Sequence, residues 1–521
     1  MTYPSYEEYQ YNSCVSRGIC SISPQISALQ TVIVLYLRIF AKYTLNLDVD
    51  NNIKTFILNT ISVTLFNPEF NEESFLFAIE NFKEVLPEII EKNSMLEYQN
   101  SLQTEREKFD ELLTETSSIN QAIKYGEKIF KRSKEELDSE IENLFTLLLM
   151  IVKTLSINLL ELESYNESFS LAYNEILHLL SYLNINDNFI DVLEAEMREA
   201  SKISFQLSEK LFQIMEKSYG TQIVAEVSYT TVPGKAVLVT GSSLKELENI
   251  LAALKDEAID VYTHDDMMFA HTFPKFKENK KLKGQFGFGL ENCLIDFATF
   301  PGPIILTKNS LHNIENFYRG RLFTTDYLTL PKGIIKIKDN DFTGVIESAY
   351  ESKGFKRGKI CESVEIGYDF EEVKALIRKK IETQEYKKIF IISQDDYSLE
   401  QKTYFEKLIK HTPKNVLIIS FSYKNDCENL IHLNTCFDYF SLIKNFEYLR
   451  DYNLPITIFI PKCNRDSISQ MIYLSSFNDV RILLGKCAPI ILNPALLKTL
   501  SDSFGISVIT AVKKDLEKIL G

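Results

Sequence analysis

KAVLVTGSSLKELENIL (residues 235–251), DVYTHDDMMFAH (260–271), DFATFPGPIILTKNSL (296–311) and FYRGRLFTTD (317–326) decide how this chain is read. In each, a short apolar run closes on a cluster of Thr, Ser, Asp or Asn. Around them, β-branched runs alternate with amphipathic stretches: Ala236–Thr240, Ile259–Tyr262, Ile304–Thr307 and Ile334–Ile337. After a hydrophilic joint at Glu351–Lys359 the pattern restarts with Ile389–Ser393, Val416–Ser420, Ile456–Ile460, Val480–Leu483 and Ser507–Ile509. Continuous apolar strands separated by helices predict parallel sheets covered on both faces. Two such sets predict two Rossmann-like α/β domains, residues 221–356 and 357–521.

Residues 1–220 read differently. From Ile26 to about Ser218, apolar residues recur at helical spacing, notably in Glu73–Lys92, Lys134–Leu162 and Asp191–Glu216. Ser21 and Ser23 with Pro24 predict a cap and first turn. Asn51-Asn52, Asn93-Ser94 and 184–187 are expected interruptions. An all-α bundle domain follows.

The 521 residues suit about three domains. A net charge of −15 repels phosphate backbones, so nucleic-acid binding is not expected. Lys277, Lys280, Lys281 and Lys283 read as a solvated loop. The longest mainly apolar run, Phe145–Val152, is closed by Lys153, so no membrane span is expected. The N-terminus has neither the basic nor the apolar region of a signal peptide. The eight Cys form no CxxC pair, which suits reduced thiols or metal ligands in a cytoplasmic protein.

In open parallel sheets, ligands bind at the carboxyl ends of the strands. Those ends carry Gly241-Ser242, His264-Asp265-Asp266, Asn309-Ser310, Asp395-Asp396, Ser420 with Ser422, and Cys463 with Arg465. Ser and Asp in such loops also serve as helix N-caps. Gly284-x-x-Gly287-x-Gly289 lacks the dinucleotide-binding order, and Pro233-Gly234-Lys235 is no P-loop.

In order and spacing these motifs resemble the hybrid-cluster proteins, also called prismane proteins or hydroxylamine reductases. The phrases DFATFPGPI and RLFTT are specific in combination. The resemblance implies a helical bundle followed by two Rossmann-like domains, as in the related carbon monoxide dehydrogenases. It also implies a 4Fe-4S or 2Fe-2S cluster near the N-terminus and a hybrid Fe–S–O cluster between the domains. The implied activity is reduction of hydroxylamine or nitric oxide. Against the family pattern, Ser242 stands for the ligand His, Asp266 for Glu, Ser310 for the Cys of TTNC, and Asp395 for the persulfide Cys. Ser420 or Ser422 stands for another Cys. Cys436 survives in Asn434-Thr435-Cys436-Phe437-Asp438, while Cys463 and Arg465 replace the final Glu and Lys. Near the N-terminus only Cys14 and Cys20 match the four-cysteine cluster.

Fe–S clusters need thiolates, and Ser and Asp are hard oxygen donors. Three readings stay open. The chain is a catalytically altered or inactive relative that binds a redox or assembly partner, or a second copy of itself. Alternatively, Cys436, Cys463, Asp266 and Asp395, with His264 or His271, hold a single metal ion. In the third, the family reaction survives. Ser242, Asp266, Ser310, Asp395, Ser420, Cys436, Cys463 and Arg465 are expected to surround one interdomain cavity. Arg465 would then pair with the acids left there.

Overall fold

The computed structural model describes residues 24–45, 47, 49–66, 72–94, 99–136, 139–183, 190–287, 293–308, 318, 320–325, 333–394, 399–434, 440–461, 466–486 and 493–521. Among the described residues, eight helices come first: α1 (Pro24–Thr44), α2 (Asn51–Thr64), α3 (Glu72–Ser94), α4 (Gln99–Glu115), α5 (Ile119–Glu136), α6 (Ser139–Glu163), α7 (Ser170–Ser181) and α8 (Ile190–Tyr219). Pro24 opens α1, where its fixed φ suits the first turn and its missing N–H costs nothing. Seventeen of the 21 residues of α1 are buried, so this helix is the bundle's core. Helix α5 lies so close that a Cβ at Gly126 would overlap the Ala28 carbonyl.

Several expectations change here. Asn51-Asn52 begins α2 rather than breaking a helix, because the Asp50 carboxylate accepts the Asn52 N–H at 2.7 Å and caps it. The periodic stretch Lys134–Leu162 belongs to two helices, α5 ending at Glu136 and α6 beginning at Ser139. Among the described residues, two helices, Pro24–Thr44 and Glu140–Glu163, are by length and composition apolar enough to cross a membrane, which the run Phe145–Val152 alone is not. Each buries 83% of its apolar window inside the fold, as core helices do.

Strands then alternate with helices. The first six-stranded sheet contains β2 (Lys235–Thr240), β3 (Ile259–His264), β4 (Leu282–Gln285), β5 (Ile304–Leu306), β6 (Leu322–Thr324) and β7 (Ile334–Lys336). Its order is β4-β3-β2-β5-β6-β7, all parallel. The second sheet contains β9 (Lys388–Ile392), β10 (Val416–Ser420), β11 (Leu430–His432), β12 (Ile456–Ile460), β13 (Val480–Leu484) and β14 (Ser507–Val508). It repeats the arrangement as β11-β10-β9-β12-β13-β14. The central strands β10 and β12 are buried throughout, as continuous apolar runs predict. The lysine run is not simply a solvated loop: Leu282–Gln285 is strand β4, and Lys277 donates to the Val224 carbonyl at 3.1 Å.

A two-stranded antiparallel ribbon joins the regions. Strand β1 (Ala225–Ser228) pairs with β8 (Ser363–Ile366), Ala225 opposite Ile366 and Ser228 opposite Ser363. Bridges at Thr231–Lys359 and Gly234–Phe355 continue it. One apolar core runs through all three regions, from Leu155 in α6 to Val239 in β2 and Met471 beside β12. Polar contacts cross it as well. Asn158 of α6 donates to Asp466 Oδ1 at 3.0 Å, and Arg198 of α8 donates to Ser475 Oγ at 3.1 Å and the Ser503 carbonyl at 2.9 Å.

Candidate functional site

The strand order of each sheet reverses between its first and fourth strands, which opens a crevice at their carboxyl ends. In the first sheet these are β2 and β5. Beyond β2, Gly241 turns the chain with φ +110°, a conformation glycine adopts without penalty. Ser242 and Ser243 follow. Ser243 Oγ accepts the Glu246 N–H at 3.3 Å, capping the helix Leu244–Ala253, and donates to Glu161 Oε1 of α6 at 3.0 Å. Beyond β5, Thr307 fastens the crevice: its N–H and its Oγ1 both donate to the Thr240 carbonyl at 3.0 Å.

A cavity of about 20 Å³ lies here, lined by Glu161 of α6, Met215 of α8, Ser242, Phe269, Lys308 and Phe440, among others. All three regions of the fold contribute to it. Its volume is room for about one water molecule.

Two histidines flank the crevice, and both have partners. His264 ends β3 beside Thr240 and is fully buried. Its Nδ1 lies 3.0 Å from Thr240 Oγ1 and its Nε2 3.2 Å from Asp296 Oδ2. Asp296 is packed against Gly287, where a Cβ would overlap its carboxylate. His271 Nε2 lies 2.9 Å from Thr263 Oγ1, and burial pushes its pKa down to about 4. Asp266 sits half-buried on the 3-10 turn Asp265–Thr272, which opens on Asp265 at φ +53°.

At the second sheet, Ser420 ends β10 and is fully buried. Its Oγ accepts the Tyr423 N–H at 3.0 Å, so this hydroxyl shapes the loop after the strand. Gln401 is buried beside the end of β12. Its Nε2 donates to the Pro461 carbonyl at 3.0 Å, and its Oε1 accepts the Lys486 N–H at 2.9 Å. Ser310, Asp395, Cys436, Cys463, Arg465, Cys14 and Cys20 lie outside the described residues. Among the described residues, no group of three His, Cys, Asp or Glu side chains is placed to hold a metal ion.

Sequence reasoning missed two residues of the crevice, Glu246 and Lys308. Glu246 is only 7% exposed. Its Oε2 accepts the Lys308 N–H at 3.0 Å and the Thr325 hydroxyl at 2.8 Å, and its Oε1 lies 3.8 Å from the Lys308 ammonium. Burial raises its pKa, opposed by Lys308 and Thr325. Ser243-x-x-Glu246 has the spacing of a capping box, which was a usable signal for the helix start. The Glu246 carboxylate instead reaches across to the ends of β5 and β6.

A sequence profile of the Prismane/CO dehydrogenase family matches residues 10–424. The hydroxylamine reductase of Thermodesulfovibrio yellowstonii is 26% identical over 542 aligned positions, covering 98% of this chain and 99% of that protein. The hydroxylamine reductase of Kosmotoga olearia is 26% identical, covering 99% of both chains. That of Acidiphilium cryptum is 24% identical, covering 97% of this chain and 95% of its own. A solved structure of closed and open alpha subunits of acetyl-CoA synthase/carbon monoxide dehydrogenase, with nickel-containing Fe4S4 clusters, superposes with a TM-score of 0.47. It is 13% identical and covers 98% of this chain and 84% of that one.

Proposed function

The chain belongs to the Prismane/CO dehydrogenase family, and we propose that it keeps the family fold as a binding or assembly protein that has lost hydroxylamine reductase chemistry. The family resemblance implies iron–sulfur clusters as cofactors. The residues present here do not fit one. Where the resemblance calls for soft thiolate or imidazole donors, the sequence supplies Ser242, Ser310, Asp395 and Ser420. Among the described positions, Ser420 Oγ already holds the Tyr423 N–H. Ser242 lines the small cavity at the crevice of the first sheet and is an oxygen donor there.

The observation that carries this reading is the run of oxygen donors at Ser242, Ser310, Asp395 and Ser420 where the resemblance calls for soft donors. His264, which could have served as a replacement ligand, has both ring nitrogens engaged by Thr240 and Asp296.

Anaerobic purification followed by iron, zinc and acid-labile sulfide analysis tests the reading, together with hydroxylamine reduction driven by an artificial one-electron donor. Substoichiometric metal and no reduction are expected. Stoichiometric iron and sulfide with turnover of hydroxylamine would overturn it. Stoichiometric metal without sulfide, lost when Cys436→Ala and Cys463→Ala are combined, would replace it with the single-ion site.

A further inference from the structure

Lys308 is the cation among the described residues lining the three-region cavity, and Glu161 is the anion there. The position of Lys308 is fixed by the backbone: Leu306 pairs with Thr240 in the sheet, and Thr307 bonds twice to the Thr240 carbonyl. Two groups of one residue therefore face Glu246. The Lys308 N–H bonds to Oε2 at 3.0 Å, and the ammonium stands 3.8 Å from Oε1. Oε1 is buried without a hydrogen bond. A carboxylate this enclosed is costly unless a counter-charge faces it. Glu246 also bonds Thr325 beyond β6, so the group ties the helix Leu244–Ala253 to the ends of β5 and β6. The Lys308 charge extends to α6 as well, where it opposes the burial-driven rise in the Glu163 pKa.

We propose that Lys308 is a built-in counter-charge that holds the crevice of the first sheet together through Glu246, so that the junction of the three regions assembles without a metal ion. The inference rests on the reading that the chain carries no cluster. An ammonium on a strand end supplies the positive charge locally and permanently. Its half-exposed side chain lines the cavity with Ser242 and Met215 while the head faces the buried carboxylate.

The test is a double-mutant cycle on the full chain, read by thermal unfolding with and without chelator. Wild type should unfold at the same temperature in both. Lys308→Met leaves Glu246 buried and unopposed, and should lower the unfolding temperature by about 4 °C. Lys308→Arg should retain most of the stability. Adding Glu246→Gln to Lys308→Met should recover at least half of the loss, because the orphaned charge is gone. If Lys308→Met yields no folded protein, the double variant decides: recovery of folding supports the proposal and failure overturns it. Lys308→Met as stable as wild type, or a loss that Glu246→Gln leaves untouched, also overturns it. A wild-type chain stabilised by anaerobic iron and sulfide would instead sink the cluster-free reading. The coupling between Lys308 and Glu246 would still be measured by the cycle.

Discussion

Gly485 and Gln401 share one volume: a Cβ on the glycine would overlap the glutamine's Oε1 and the backbone of Pro461. Gln401 uses that room to bridge the Pro461 carbonyl and the Lys486 N–H beyond the ends of β12 and β13.

Gly485→Ala should therefore cost roughly 1–3 kcal/mol, the range for overpacking a fitted interior. Gln401→Ala should cost a similar amount, since a buried carbonyl and N–H lose their partner. Urea midpoints followed by near-ultraviolet circular dichroism measure both. The two losses should not add, because each variant disrupts the same contact.

Asn158 is 2% exposed, and its amide reaches from α6 to Asp466 at the start of the helix Ser467–Leu474. Asn158→Ala should destabilise the junction by about 1–3 kcal/mol. Native-state hydrogen exchange should show faster opening in α6 and in Ser467–Leu474 together. Unchanged protection in both would mean that apolar packing alone holds this contact.

His271 sets a pH dependence. Its pKa falls from 6.5 to about 4 on folding because burial disfavours the charged ring. The unfolded chain thus binds the proton more readily, so stability is full above about pH 6.5 and declines as pH falls towards 4. By pH 5 the loss from this one group is about 2 kcal/mol. His271→Gln should shrink the difference between urea midpoints at pH 7 and pH 5. An identical difference in the variant would assign the acid sensitivity elsewhere.

Residues 356–360 and 362–365 are exposed, and they include Lys356, Arg357 and Lys359. Brief trypsin treatment should cut there first. The two fragments should still co-elute on size exclusion, because β1 pairs with β8 and the shared core spans the cut. First cleavage inside the helical region, or prompt separation of the fragments, would contradict this.

The long strands were legible because Val416–Ser420 and Ile456–Ile460 are apolar throughout and buried on both faces. Strand β4 (Leu282–Gln285) was not, since two of its four residues are Lys and Gly. Strands β6 and β11, three residues each, were not among the runs read as strands. The strand-end rule named Ser242, Asp266 and Ser420, and of these Ser242 lines the cavity of the first sheet. It passed over Lys308, whose importance depends on Glu246, 62 residues away in sequence. His264 was a candidate ligand because it closes the second apolar run, at the carboxyl end of a strand. Its actual carboxylate partner, Asp296, comes from a helix that local spacing could not bring close.

The ribbon formed by β1 and β8 has a topological consequence. The chain enters the first sheet through Ala225–Ser228 and leaves it through Ser363–Ile366, with the two segments running side by side. Everything from β2 to β7 is therefore a loop of chain closed at its neck, like a bead on a doubled thread. Gene segments encoding such a bead can be exchanged or deleted while the severed ends remain within joining distance. A short turn linking Ser228 to Ser363 would convert the ribbon into an ordinary hairpin, leaving the helical region and the second sheet covalently connected in their present register.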